Sequence, residues 1–443
     1  MLSRRHRART GLGIALLLAA LLAPITLPPA HAAGAHHVSW WNWDDALLSG
    51  GDTQTVGYKT NAKLATKTLA ERDTPGLRVD ETSYPYSDYL TALKTAFASG
   101  TEPDVVDLQP GAMLQQYESY LVPVNSFAAK LWGPNWQSRY EAIGVRQAIG
   151  PTPKKGILYG LPADIFDGTG LYYNRTIFAQ YGLAVPRTYA ELKHVADVLN
   201  AHGIIPIAWG AKDEWPNVDW YLMVAEQVVP GRWDQAQKGK ARFTDPKLVE
   251  ALQILVKMQK DRIFGRSSWA STQYPEALTL LLTGRAAMWA SGSWDAHTIW
   301  TAKNRDDYAL MPIPRLAPDA GPGRLFGGVN FVMCVTKAAK DPAEAFKLVA
   351  WRAGAPGQQA IAMNRWGYLS SVKGAKGTFP WNTAYQERVW SYWVKGLRTA
   401  IDREPKLAAV KQALQDAIAA ASTQGQSAAR AMVAVQTAYD QNH

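Results

Sequence analysis

The chain has 443 residues, 47% hydrophobic and 19% charged, the balance of a folded soluble protein and not of a disordered one. That length exceeds one ordinary core and points to two domains or a bilobed unit. Net charge is +10, but the first 32 residues hold four arginines and no acid, so the excess falls to 6 without them. The charge is spread along the chain with no run of five basic residues, which argues against a nucleic-acid partner.

One cysteine, Cys334, rules out an internal disulfide framework and a multi-cysteine metal centre. Its setting, FVMCV, predicts a buried strand. The eight histidines show no metal-ligand spacing, so neither metal nor other cofactor is expected. Eighteen tryptophans are roughly three times average usage. Trp is usually buried, so core packing competes at each position with stacking on a ligand.

Residues 1–32 combine a basic start, an apolar run over 11–23 and the small-residue site Ala30-His31-Ala32. This is the pattern of a secretory signal peptide, and the apolar run is short for a membrane span. The protein is therefore expected to be exported, periplasmic or at the cell surface. No cysteine near the cleavage site offers a lipid anchor.

The mature chain opens on the β-prone VSWWNW at 38–43, followed by Asp44 and Asp45. A helix over 56–72, a strand over 77–82 and a helix over 87–99 follow, the last with Leu90, Leu93 and Phe97 on one stripe. The run DVVDL at 104–108 stops at Gln109-Pro110-Gly111, as a buried parallel strand does in a doubly wound sheet. Residues 122–124 lead into a linker-like Trp/Pro segment.

The central stretch GILYGLPADIFDGTGLYYNR, 156–175, has apolar runs at 157–161 and 170–173 around a polar segment. It reads as two short strands where the chain leaves one α/β lobe for a second, with a cleft beside it. Thr188 and Glu191 form a capping box for a helix with Leu192, Val195 and Leu199 inward, followed by a strand at 204–209. Trp215 and Trp220 are placed in a loop before an apolar helix at 221–229. Asp245-Pro246 starts a further helix. GRAAMWASGSW at 284–294 reads as a strand running into a glycine turn, with Ser293 capping the next helix. LFGGVNFVMCV at 325–335 reads as the return crossing. Two amphipathic helices fill 406–440.

No nucleophile elbow, zinc-protease helix motif, P-loop or dinucleotide fingerprint is present. The acids Asp44, Asp45, Asp164 and Asp295 could supply a glycosidase pair, so a secreted glycan-active enzyme stays open. The positive signal is aromatic and polar residues together at loop ends. Aromatic faces suit the apolar faces of pyranose rings, and buried hydroxyls need polar partners.

The pattern resembles the extracellular solute-binding proteins of ATP-binding-cassette sugar importers, in the group with the maltose-type binding proteins. The matching pieces, in order, are the Trp-rich 38–43, PDVVDL at 103–108, YGLPADIFDGTGLYYNRTIF at 159–178 and PRTYAEL at 186–192. GRAAMWASGSW at 284–294, GGVNFVM at 327–333 and GYLSS at 367–371 complete the set.

The resemblance implies a two-lobed α/β fold with hinge crossings: 38–163 and 327–371 forming the first lobe, 164–326 and 372–443 the second. It implies a monomer that closes on a sugar, of di- or oligosaccharide size from its aromatic load, and delivers it to permease subunits. The ligand residues it implies become Trp41 and Trp43 after the first strand, Gln109, and Asp164 at the crossing, to which the aromatic and acidic pattern itself adds Asp44 and Trp215. Trp294, Gly328 and Asn330 at the second crossing, and Trp366 complete them. A sugar-binding module without a transporter remains the other alternative.

Overall fold

The computed structural model describes residues 37–43, 66–149, 156–168, 170–302, 304, 307–360, 369–375, 393, 396 and 400–443. The leader, Asp44, Asp45 and Trp366 lie outside them, as does most of the helix expected over 56–72, whose described part runs Thr66–Asp73.

Three sheets organise the described chain. The first lobe is built on β1 (His37–Asn42), β2 (Arg78–Ser83), β3 (Val105–Leu108), β4 (Gly160–Pro162) and β11 (Val332–Val335), in the order β2-β1-β3-β11-β4. β1 is parallel to β2 and β3, whereas β11 runs antiparallel to β3 and β4. The second lobe uses β6 (Gly170–Asn174), β7 (Ile205–Ala208), β8 (Ala286–Ser291) and β9 (Tyr308–Met311), in the order β7-β8-β6-β9. The short apolar runs β3, β10 (Phe326–Val329) and β11 are buried at every position, whereas the edge strand β2 buries only Val79. Cys334 lies within β11, fully buried.

The third sheet joins the lobes. It contains β5 (Asp164–Asp167), β10, β12 (Leu369–Ser370) and β13 (Ile401–Asp402), in the order β12-β5-β10-β13. β4 passes into β5 across Ala163 alone, and β10 into β11 across Asn330 and Phe331, so the chain changes sheets with almost no loop. The polar segment at 164–167, expected as a connection, is thus itself a strand. Asp164 explains why it can be buried: its carboxylate takes two bonds from Arg352, at 2.8 and 2.9 Å, and one from Gln358 at 3.0 Å. Both Arg352 and Asp164 are 0% exposed.

β13 makes a third crossing that the sequence does not announce. It pairs in parallel with β10, and Pro405 just beyond it accepts a 2.8 Å bond from the Ala112 amide of the first lobe. Gly111 makes that approach possible: its φ is +76°, and a Cβ there would lie 2.7 Å from the Pro405 carbonyl oxygen. The chain then enters the helices Ala408–Thr423 and Ala428–Asn442, whose Val410, Leu414, Ile418, Met432 and Val435 join the second lobe's core.

Local rules set most helix starts. Asp341 and Asp245 accept amide bonds from the first turns of the helices they precede, each with Pro at the first helical position. Thr188 accepts from Glu191 N, but the Glu191 carboxylate reaches back to Arg187 N and not to Thr188 N. The segment after Val124 is not a linker: it holds the helices Asn125–Trp132 and Ala142–Ala148. Trp215 and Trp220 both fall in one helix, Trp215–Val228, with Trp220 in the core. Ser293 begins a 3-10 turn, Ser293–Asp295, ahead of the helix Ala296–Thr301.

Candidate functional site

The carboxyl ends of the parallel strands in each lobe bring the aromatic residues toward the crossings, where ligands bind in open α/β sheets. In the first lobe β1 leads directly into Trp43 and β3 into Gln109. The half-buried Trp43 ring packs on Tyr86, Tyr89 and Phe331, at centroid distances of 5.6, 5.0 and 5.6 Å. Tyr86 donates its hydroxyl to the Gln109 side-chain oxygen at 2.6 Å. In the second lobe β8 runs into Trp294, and the loop after β7 runs into Trp215. The rings of Trp215 and Trp294 stand 6.0 Å apart at 70°, and Trp294 meets Phe166 of β5 edge-on at 5.0 Å.

Arg403, the residue after β13, sits among these rings. Its Cζ lies 5.0 Å from the Trp215 ring centroid, 5.1 Å from Trp294 and 5.6 Å from Phe166. Its Nε and Nη2 donate to the two carboxylate oxygens of Asp219 at 2.9 and 3.0 Å, a two-point pairing that fixes the guanidinium plane. Glu404 Oε1 is 3.5 Å from Nη1, and Lys411 pairs with Glu404 at 2.6 Å.

These charges are buried, and their protonation reflects it. Burial pushes the Asp219 carboxyl up to about 6, against the opposing pull of Arg403. Burial opposes the charge on Arg403, but Asp219 and Glu404 outweigh it and raise its affinity for the proton. Burial alone would raise Glu404, yet Lys411 and Arg403 hold it below the ordinary carboxylate value. Burial and then the Glu404 carboxylate disfavour the Tyr86 phenolate and raise its titration well above the ordinary phenol value.

A cavity of about 530 Å³ adjoins this centre. Gln109 and Arg146 line it from the first lobe, Phe166 and Asn330 from the crossings, and Arg324 from the second lobe, with Arg403 at its side. Phe166 is the one aromatic ring among its described lining residues, and Arg403, which also lines it, carries Trp215 and Trp294 against its guanidinium, so polar groups of both lobes meet an aromatic cluster through that side chain.

The structure brings together Trp43, Gln109, Trp215, Trp294 and Asn330 of the residues singled out from sequence. Three others fall elsewhere. Asp164 is sealed under Arg352 and Gln358 and anchors the first crossing, so its expected place as a ligand contact is corrected to a structural one. Gly328 has φ +124°, and a Cβ there would fall within the Gln147 side-chain amide. That amide donates to Gly327 O and accepts from Val329 N, so Gly328 serves the crossing itself. Trp41 faces a separate groove beside the helix Tyr86–Ser99.

Arg403, Phe166 and Tyr86 were not anticipated. Arg403 is separated by more than a hundred residues from every aromatic ring it touches, and nothing local in AIDREP marks it. Among the described residues no cluster of acids, histidines or cysteine could hold a metal ion, and no helix is long and apolar enough to cross a membrane.

The crossings, the paired lobes and the cavity between them define a two-lobed ligand-binding protein. The chain belongs to the bacterial extracellular solute-binding protein family, whose model matches residues 50–359. It is 25% identical over 332 residues to the multiple sugar-binding protein of Streptococcus mutans, across 72% of this chain and 75% of that one. Among solved structures, the fold is similar to a protein from work on xylan utilization by Caldanaerobius polysaccharolyticus. The TM-score is 0.75 and the identity 19%, over 91% of this chain and 99% of that one. It is also similar to a chitin oligosaccharide binding protein, with TM-score 0.71 and 20% identity over 92% and 98% of the two chains.

Proposed function

We propose that the protein is an exported carbohydrate receptor of an ATP-binding-cassette importer, taking a sugar of di- or oligosaccharide size and handing it to permease subunits. The observation that carries this reading is the Arg403 centre: Phe166, Trp215 and Trp294 surround its guanidinium, and Arg403 and Phe166 line a cavity together with Gln109 and Asn330. An apolar wall takes the C–H face of a pyranose, and the amides exchange hydrogen bonds with its hydroxyls. The relatives point the same way, since the curated one is named for binding multiple sugars and a structural neighbour for binding chitin oligosaccharide.

Ligand contacts drawn from both lobes favour the closed population without any chemical step. The protein acts as a monomer with no catalytic role in this reading. The test is a thermal-shift panel of mono-, di- and oligosaccharides with amino acids and polyamines as controls, with the sugar analysed afterward. At 100 times its dissociation constant a ligand stabilises by about 2.7 kcal/mol. A shift confined to one sugar class, with that sugar recovered intact, supports the receptor. A sugar consumed during the assay, or no shift with any sugar, overturns it.

A further inference from the structure

We infer that a second carbohydrate subsite lies on the outside of the first lobe, in the groove between β1 and the helix Tyr86–Ser99 where Trp41 sits. The inference rests on reading the protein as a carbohydrate receptor, and it adds a place where sugar is held outside the closing lobes.

The in-register pairing of β1 with β2 sets Trp41 opposite Thr82 and Ser39 opposite Asp80, so these side chains share one face of the sheet. The helix covers the neighbouring part of the first lobe's core with Tyr89, Leu93 and Phe97, and leaves Trp41 half-buried at its margin. Between them lies a cavity of about 410 Å³, lined by Trp41, Tyr84, Asp88, Thr91 and Thr95.

The chemistry of this lining is specific. Trp41 meets Tyr84 edge-on, at 5.3 Å and 63°, and no other ring packs on it among the described residues. The corner so formed leaves indole surface to the cavity. Thr91 and Thr95 each donate a hydroxyl proton to the carbonyl one turn back, to Ser87 O and Thr91 O, so the lone pairs of both oxygens remain as acceptors. Asp88, one turn earlier on the same helix flank, makes no hydrogen bond or ion pair among the described residues and is exposed. A flat apolar surface beside a column of acceptors matches a pyranose, which lays its C–H face on the indole and donates hydroxyls to Asp88 and the threonines. An organic cation would also meet a ring and a carboxylate. The net positive excess of 6 that remains without residues 1–32 and the threonine acceptors favour the neutral polyol.

The groove differs from the cleft in what happens when it fills. Trp43, two residues on and about 7 Å along the strand, belongs to the cleft's aromatic cluster with Tyr86 and Phe331. Every residue lining the Trp41 groove comes from the first lobe. Its occupancy therefore needs no closure, and it holds a sugar chain independently of the cleft.

The experiment follows the tryptophan indole N–H resonances of the ¹⁵N-labelled protein, with the Trp41 signal assigned by Trp41→Phe. Xylo-, chito- and malto-oligosaccharides are titrated into the parent and into Trp294→Ala, with tetramethylammonium as the cation control. The expected result is a saturable shift of the Trp41 signal with an oligosaccharide that persists in Trp294→Ala. Asp88→Asn should weaken that titration by about five-fold, the loss of one charge-assisted bond at an exposed site.

A Trp41 signal that stays still while the cleft saturates overturns the subsite. So does a shift that disappears in Trp294→Ala, which would mean the signal reports closure, or one produced by tetramethylammonium instead of sugar. If no oligosaccharide moves either the Trp41 or the Trp294 signal, the carbohydrate reading itself falls.

Discussion

Arg403 and Asp219 join a hinge crossing to the second lobe: two bonds of 2.9 and 3.0 Å link the residue after β13 to the first turns of the helix Trp215–Val228. The same guanidinium stands among Phe166, Trp215 and Trp294, so these rings and the strand that carries the crossing share one fixed centre. Arg403→Lys keeps the charge but loses the planar fork. We expect it to lower sugar affinity at least about ten-fold and to destabilise the ligand-free protein by about 2–4 kcal/mol, since it disrupts a buried pair. Calorimetric titration and denaturant unfolding check the two effects; unchanged affinity would remove Arg403 from any role in the site.

Asp219 gives a pH dependence with a definite sign. Its folded-state value of about 6 lies above the ordinary 3.8, so the folded protein takes up this proton first as pH falls. The contribution favouring the folded state is complete below about 4 and is lost as pH rises through about 6. Relative to Asp219→Asn, the parent should gain at most about 3 kcal/mol between pH 7 and pH 4. Sugar affinity of the parent should fall below pH 6, as the pairing that orients Arg403 weakens, and Asp219→Asn should lack that step. Unfolding curves and titrations across this range measure both.

Two tryptophans five residues apart on either side of the site's boundary provide a contrast of function with packing. Trp215 is half-buried against Arg403, whereas Trp220 is 2% exposed within the second lobe's core. Trp220→Ala should cost about 3–5 kcal/mol of stability. Trp215→Ala and Trp294→Ala should cost less stability and weaken sugar binding more. Equal losses of affinity and stability at Trp294 would make it a core residue.

At the first crossing the expectation reverses the reading from sequence. Asp164→Asn leaves Arg352 buried without its carboxylate, so stability should fall by about 3–5 kcal/mol. Any loss of affinity should follow that loss of folding. A thermal midpoint equal to the parent's would show that the pair is not holding the crossing.

At the second crossing, Gly328→Ala must displace the Gln147 amide from Gly327 and Val329 and adopt a φ near +124°. The expected outcome is a destabilised protein whose closure on ligand, followed by small-angle scattering, is also altered. A fully stable variant that closes normally would show that the amide latch is dispensable.

The sequence by itself determined the lobes' building blocks. Buried strands such as DVVDL and FVMCV are continuous apolar runs, and helix starts at Asp245 and Asp341 are set by caps within a few residues, so local chemistry is enough to read them. It also placed Trp43, Gln109 and Trp294 just past strand ends, because the stops of apolar runs are legible, whereas Trp215, read as loop, begins a helix.

Only the tertiary structure decided which polar and aromatic residues face the cavity. Asp164 and Asp219 are both aspartates beside apolar runs, yet one is sealed beneath Arg352 and the other orients Arg403 at the site. Those partners lie 188 and 184 residues away. Trp41 and Trp43 share a strand face, but one borders an outer groove and the other the cleft, because the helix Tyr86–Ser99 lies across only part of that face. Burial and charge pairing between distant segments arise only when the three crossings bring those segments together, and no local pattern carries that information.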